Sequence, residues 1–243
     1  MLELKLFQKG FNYSQDGPGN RLVYHLKGCN MHCPWCSNPE GMMNNSDGVF
    51  TATTEQITEE AMFSKPMFFE NGGVTFTGGE CTLQADALKS TLRELKNNEI
   101  STAIETNGSY EKLSELFPFI DFLIMDFKHP DNEKHKQITG ISNKKIKQNI
   151  ILACEAKKEL LIRIPLINGF NTDSAAIDGF ITFFSTLENE NLAFEVLKYH
   201  EYGKDKWEKL GLTYTMQNAF VEESLRVEFE NKIKNIGHRV VRT

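Results

Sequence analysis

Residues 73–108 read GVTFTGGECTLQADALKSTLRELKNNEISTAIETNG, and this stretch decides the fold. The run 73–77 mixes β-branched and aromatic residues and is bounded by glycines, the pattern of a buried strand. Across 84–97, Leu88, Leu92 and Leu95 recur at helical spacing among charged residues. The run 101–105 is again strand-like. Strand, helix and strand in that order form a crossover unit whose two strands lie parallel.

The alternation continues outward. Further strands are expected at 22–27, 122–126, 160–165 and 193–198, with a last short run at 239–241. Further helices are expected at 54–64, which starts among threonines, and at 143–157, 173–187 and 217–236. Six parallel strands with crossover helices make an α/β fold, either an open doubly wound sheet or a partial or complete barrel. No linker rich in Pro, Gly or Ser divides the chain and no repeat appears, so residues 1–243 read as a single domain.

Unusual residues fall just after these strands. Lys27-Gly28-Cys29 follows the first, Thr77-Gly78-Gly79-Glu80 the second and Glu105-Thr106-Asn107-Gly108 the third. Asp126-Phe127-Lys128 ends the fourth, Arg163 lies in the fifth, and Tyr199-His200-Glu201 follows the sixth. The carboxyl edge of a βα sheet is where such folds build their sites.

The 243 residues are 40% hydrophobic and 25% charged, an ordinary globular balance that excludes disorder, collagen-like sequence and a pure coiled coil. No apolar run reaches the roughly 18–20 residues that span a bilayer, and the opening MLELKLFQKGF lacks a signal-peptide layout. A cytoplasmic protein without membrane association is expected. The net charge of −6 argues against a general nucleic-acid binder.

Three of the five cysteines, Cys29, Cys33 and Cys36, stand as C-x3-C-x2-C; Cys81 and Cys154 are far apart. A disulfide framework does not suit a cytosolic chain of this size, so the triplet points to metal or redox chemistry. Zinc would need a fourth ligand, which His25 or His32 could supply. A [4Fe–4S] cluster usually takes four cysteines. Here either Cys81 or Cys154 reaches in, or one iron stays open to a non-protein ligand.

The triplet, with Trp35 just before its last cysteine, resembles the radical S-adenosylmethionine (SAM) superfamily, and Gly78-Gly79-Glu80 strengthens the likeness. Asp16-Gly17-Pro18-Gly19, Glu105-Thr106-Asn107-Gly108, Asp126-Phe127-Lys128 and the stretch from Tyr199 to Trp207 follow in the order seen in glycyl-radical-enzyme activating enzymes, nearest those that act on pyruvate formate-lyase. The resemblance implies a partial (β/α)6 barrel of the radical SAM type. It implies that Cys29, Cys33 and Cys36 hold three irons and that the fourth chelates SAM. An electron from the cluster then breaks the sulfur–C5′ bond, and the resulting 5′-deoxyadenosyl radical takes hydrogen from a glycine of a partner enzyme.

By the same resemblance the SAM contacts are Trp35, Cys36, Ser37, Asn38, Gly78, Gly79, Glu80, Thr106, Asn107, Asp126, Phe127, Lys128, Arg163 and His200. Gly78-Gly79 would let backbone approach the methionine end of SAM, since no Cβ intervenes. Trp35 would stack on adenine or shield the cluster loop. Two facing acids need a cation between them, and the resemblance places sodium or potassium with Glu105, Thr106 and Asp126; the family usually shows Asp-Thr where this chain has Glu105-Thr106. Lys128 and Arg163 would meet the SAM carboxylate or an acid such as Asp16, since buried cations need partners. Asp16 would hold the incoming glycyl segment.

Residues 41–72 contain no cysteine, so no ferredoxin-like insert is expected. The chain has no glycyl-radical segment of its own, so the radical ends on another protein. The expected partners are a glycyl radical enzyme, with pyruvate formate-lyase first, and a flavodoxin or ferredoxin as electron donor; a monomer is expected. The competing readings are a small-molecule radical SAM enzyme such as a 7-deazaguanine synthase, and a zinc-binding interaction protein. The Tyr199–Trp207 stretch and Asp16–Gly19 favour the activase.

Overall fold

Residues 73–108 form the expected unit in the computed structural model: β4 (Gly73–Gly78), α2 (Ala85–Asn97) and β5 (Thr102–Thr106), with β4 and β5 parallel. Leu88, Leu92 and Leu95 are fully buried, as their spacing requires. The structure describes residues 2–43 and 48–243. The remaining strands are β1 (Glu3–Tyr13), β2 (Asn20–Leu26), β3 (Phe50–Thr53), β6 (Phe122–Asp126), β7 (Glu159–Leu166), β8 (Leu192–Lys198) and β9 (Arg239–Val240). The remaining helices are α1 (Thr54–Ser64), α3 (Asn132–Thr139), α4 (Lys144–Glu155), α5 (Ser174–Phe184), α6 (Lys204–Lys209) and α7 (Glu223–Asn235).

The chain divides into two units. The first takes residues up to Asn30, Glu40–Thr106 and Lys112–Ile124; the second takes Met31–Pro39, Asn107–Glu111 and Met125–Thr243. Strand order in the first is β3-β1-β2-β4-β5-β6, and in the second β6-β7-β8-β9, β6 being divided between them. β2–β4, β4–β5, β7–β8 and β8–β9 are parallel, while β1 pairs antiparallel with both β2 and β3. The fold is α/β with a nine-stranded, mostly parallel sheet whose order is open at β3 and β9, as a partial barrel requires.

Two strands and two helices were not expected. In β1 only Leu4 and Leu6 are buried, so half the strand lacks a buried hydrophobic face and is held by backbone pairing and exposed side-chain contacts such as Lys9 to Glu60 at 2.6 Å. β3 is four residues long and has no buried side chain. α3 is short, and only His135 and Thr139 are buried in it; its boundaries are set by the Asp131 cap, which accepts from Lys134 N–H at 2.8 Å, and by Gly140 at φ 92°. α6 buries none of its residues. The helix expected at 217–236 begins only at Glu223.

In the first unit the amino ends of the strands are tied by Arg21, which is fully buried. Its guanidinium donates to Thr75 Oγ1 at 2.7 Å, Val74 O at 2.8 Å, Ser101 O at 3.1 Å, Asn71 O at 3.2 Å and Pro18 O at 3.3 Å. Burial pulls its pKa down to about 10. The core of the second unit is aromatic. Phe127 meets Phe180 edge-on at 5.5 Å, Phe180 meets Phe229 at 5.4 Å, and Phe184 meets Phe194 at 4.4 Å. No described helix is long and apolar enough to cross a membrane.

Candidate active site

The first unit positions the start of the cysteine loop. After β2 the chain turns at Gly28, with φ 100°, and passes against the Gly78-Gly79-Glu80 turn that ends β4. Gly28 N–H donates to Gly41 O at 2.9 Å, Gly79 N–H to Leu26 O at 2.9 Å and Glu80 N–H to Gly28 O at 2.7 Å. A Cβ on Gly79 would lie 2.1 Å from Gly28 O and 3.0 Å from Gly41 O; one on Gly78 would lie 2.4 Å from Leu26 N. The close approach these glycines permit is therefore to neighbouring backbone, which holds Gly28-Cys29 in place.

Glu80 is fully buried. Its Oε1 accepts from Thr82 Oγ1 at 2.5 Å, Thr82 N–H at 3.1 Å and Thr106 Oγ1 at 2.6 Å. Glu105 accepts from Thr77 Oγ1 at 2.8 Å through Oε2. Thr77 and Thr82 thus join the predicted residues; a threonine's hydroxyl role leaves no periodic mark in sequence. Cys81, beside Glu80, is fully buried and donates through Sγ to Glu105 O at 3.4 Å. Burial, then the charges of Glu80 and Glu105, push its thiol well above the ordinary range. Such a cysteine stays protonated and is a poor ligand. Asp16 stands apart from these groups. It lies in the turn between β1 and β2, at the amino edge of the strands whose carboxyl ends carry Gly78–Glu80. Its carboxylate accepts from Asn12 Nδ2, and its backbone carbonyl accepts from Thr75 Oγ1 at 2.7 Å.

The second unit positions the end of the loop. Cys33 is buried and Cys36 half-buried. Cys36 N–H donates to Cys33 O at 3.1 Å, and Asn38 N–H donates to Cys36 Sγ at 3.4 Å. His32 N–H donates to Thr139 O, at the end of α3, at 2.9 Å. The stretch from Tyr199 to Trp207 clamps the last cysteine. Trp207 Nε1–H donates to Cys36 O at 2.9 Å and Lys206 Nζ to Asn38 Oδ1 at 3.0 Å. A Cβ on Gly203 would sit 2.3 Å from Cys36 O. Trp35 is buried against Phe170, with ring centres 4.9 Å apart.

Beyond the loop, Lys128 Nζ pairs with Asp126 Oδ2 at 2.6 Å, and the Lys128 carbonyl accepts from Asn171 Nδ2 at 2.8 Å. The ring of Phe127 is fully buried among Phe180, Phe183 and Phe184, so a ligand would meet its backbone. Arg163 Nε donates to Glu195 Oε2 at 2.8 Å, a partner that was not foreseen. His200 stacks on Tyr202 at 4.1 Å, and burial lowers its pKa, which favours the neutral ring. Asn107 Oδ1 accepts from Ser109 N–H at 3.0 Å. Cys154, in α4, is buried, and burial pushes its thiol up to about 11.

Three cysteines on one short loop suit an iron–sulfur cluster with one iron left open, whereas a structural zinc would need a fourth protein ligand. Burial keeps the Cys81 and Cys154 thiols protonated, so neither suits a thiolate ligand.

Comparison with known proteins gives the same direction. Residues 23–178 match the Radical SAM superfamily. A pyruvate formate-lyase-activating enzyme of Staphylococcus epidermidis is 32% identical over 234 residues, covering 90% of this chain and 92% of that protein. The crystal structure of a domain of a pyruvate-formate lyase-activating enzyme from Bacteroides vulgatus is 28% identical, with a TM-score of 0.57, over 70% of this chain and 98% of that one. A radical SAM methyltransferase from Sphaerobacter thermophilus, 13% identical, shares the fold with a TM-score of 0.67 over 96% of this chain and 72% of that one. The chain belongs to the radical SAM superfamily and, within it, to the family of pyruvate formate-lyase-activating enzymes.

Proposed function

We propose that this protein activates a glycyl radical enzyme, pyruvate formate-lyase first among them, by radical SAM chemistry. The observation that carries the reading is the 32% identity to a pyruvate formate-lyase-activating enzyme along 90% of the chain. Cys29, Cys33 and Cys36 would hold a [4Fe–4S] cluster, and the bound cluster and SAM supply the one-electron chemistry that yields a hydrogen-abstracting radical. The protein's share is to fix the loop through Gly28, Gly79, Gly203 and Trp207, and to bind SAM.

Candidate SAM contacts in the first unit are Gly78, Gly79, Glu80 and Thr106. In the second they are Trp35, Ser37, Asn38, Asn107, Asp126, Lys128, Arg163 and His200. A sodium or potassium ion held by Glu105, Thr106 and Asp126 would compete with Lys128 for the Asp126 carboxylate. Asp16 would hold the incoming glycyl segment. Its carbonyl bonds Thr75, three residues before Gly78, so the Asp16 turn is about 10 Å of strand from the Gly78 end. Asp16 would thus meet residues about three places from the target glycine. The working unit is a single radical SAM domain, 1–243, without a ferredoxin-like insert, monomeric and cytoplasmic, reduced by a flavodoxin or ferredoxin.

The test is anaerobic incubation of the reconstituted protein with SAM, a reductant and pyruvate formate-lyase, read by electron paramagnetic resonance. A glycyl radical on pyruvate formate-lyase that requires SAM is expected. SAM cleavage with no radical on that partner, but one on another glycyl radical enzyme, would reassign the partner. Cleavage with none on any would sink the activase reading.

A further inference from the structure

We propose that Glu195 is a positioning residue for SAM binding, acting only through Arg163. Arg163 and Glu195 are direct register partners on the parallel strands β7 and β8. Their side chains are 8% and 2% exposed and meet at 2.8 Å, Nε to Oε2. The other Glu195 oxygen, Oε1, accepts from Thr243 N–H and from Thr243 Oγ1, both at 2.7 Å. The carboxylate is therefore fixed on two sides. Because it takes the Nε edge of the guanidinium, it sets the rotation of that plane and hence the direction of the terminal nitrogens.

Stability alone does not call for this pair. Moving two charges out of water costs about as much as their attraction returns, and an apolar pair of equal volume serves a sheet interior at least as well. The register neighbours on the same sheet face, Leu161 and Ala193, are buried and apolar. An ion pair set beside them orients a group. Here the group is an arginine that always carries its charge and offers planar, directional donors, suited to the carboxylate of an amino-acid ligand.

The inference rests on the reading that Arg163 belongs to the SAM site, and the experiment separates the two. SAM affinity is measured by calorimetry on cluster-loaded, unreduced protein for wild type, Glu195→Gln, Arg163→Ala and the double variant, with cluster content and melting temperature in parallel. Gln keeps an oxygen near Nε but loses the charge, so it spares the fold. We expect Glu195→Gln to raise the SAM Kd about tenfold, with cluster content unchanged, and to have no added effect in the Arg163→Ala background. An unchanged Kd for Glu195→Gln beside a weakened Arg163→Ala overturns the positioning role. Equal weakening in both backgrounds also overturns it, since the effect would not pass through Arg163. An unchanged Kd for Arg163→Ala removes the underlying reading instead.

Discussion

Gly203→Ala tests whether the Tyr199–Trp207 stretch clamps the cysteine loop. Gly203 has φ −83° and ψ −15°, a conformation open to any residue. Backbone strain is therefore absent, and two opposed effects remain. Replacing glycine narrows the unfolded ensemble and by itself stabilises by about 0.4–1 kcal/mol. Against this, the new Cβ would lie 2.3 Å from Cys36 O and 2.9 Å from Ser37 Cα. Both are backbone atoms, so the loop must retreat by about 1 Å to reach ordinary contact. Such overpacking costs about 1–3 kcal/mol. The retreat also stretches the 2.9 Å bond from Trp207 Nε1 to Cys36 O out of range, at about 1 kcal/mol. The clash wins, with a net loss near 2 kcal/mol, or about thirtyfold. The assay mixes anaerobically reconstituted protein with an iron chelator and follows the bleaching of cluster absorbance. Gly203→Ala should lose its cluster ten to thirty times faster than wild type. Trp207→Phe, which removes the hydrogen bond and trims the ring packed on Tyr214, should lose it about five- to tenfold faster. A Gly203→Ala protein that keeps its cluster as long as wild type and melts higher would show that entropy alone operates and that no clamp exists.

Two further outcomes follow from the same geometry. Alanine at Cys29, Cys33 or Cys36 should abolish cluster loading while alanine at Cys81 or Cys154 spares it; iron counts decide this, and loss of the cluster in Cys81→Ala would contradict the protonated, buried thiol. His135, fully buried in α3 with Nδ1 2.8 Å from Ile141 O, has its pKa lowered by burial to about 4. The unfolded chain takes up a proton near pH 6.5 that the folded chain refuses until about 4, so this stability is complete above pH 6.5 and is lost as pH falls through that window. The contribution is about 3 kcal/mol, and His135→Gln should flatten the urea-measured stability between pH 7 and 4; an unaltered slope would assign the acid lability elsewhere.

The sheet was legible where its strands are buried on both faces. The runs at 73–77 and 122–126 could hardly be anything else, and their polar termini marked the carboxyl edge. β1 and β3 leave little mark in the sequence because hydrophobic patterning records burial, and these two strands bury few side chains and pair through backbone bonds that any side chain permits. The cysteine triplet and Gly78-Gly79 were visible as residue types at fixed spacing. What the glycines touch was not visible, since Gly28 and Gly41 lie far from Gly79 in sequence. Glu195 was hidden for a related reason. A single acid inside the apolar run of β8 declares a buried charge, but its partner Arg163 lies 32 residues earlier and is set by strand register alone. A motif names the position of Phe127 without saying which way its ring turns, and the ring lies in the aromatic core.

The bonding of Arg21 bears on how the first unit comes apart. One guanidinium grips carbonyls at residues 18, 71, 74 and 101, segments widely separated along the chain. The grips on residues 71 and 74 need β2 beside β4, that on residue 101 needs β5 in place as well, and none can be released singly without leaving a buried cation short of acceptors. The amino ends of three strands therefore open and close as one cooperative unit. Fraying, the usual fate of strand ends, is suppressed along this edge, and partial opening of the first unit is confined to segments that Arg21 does not hold.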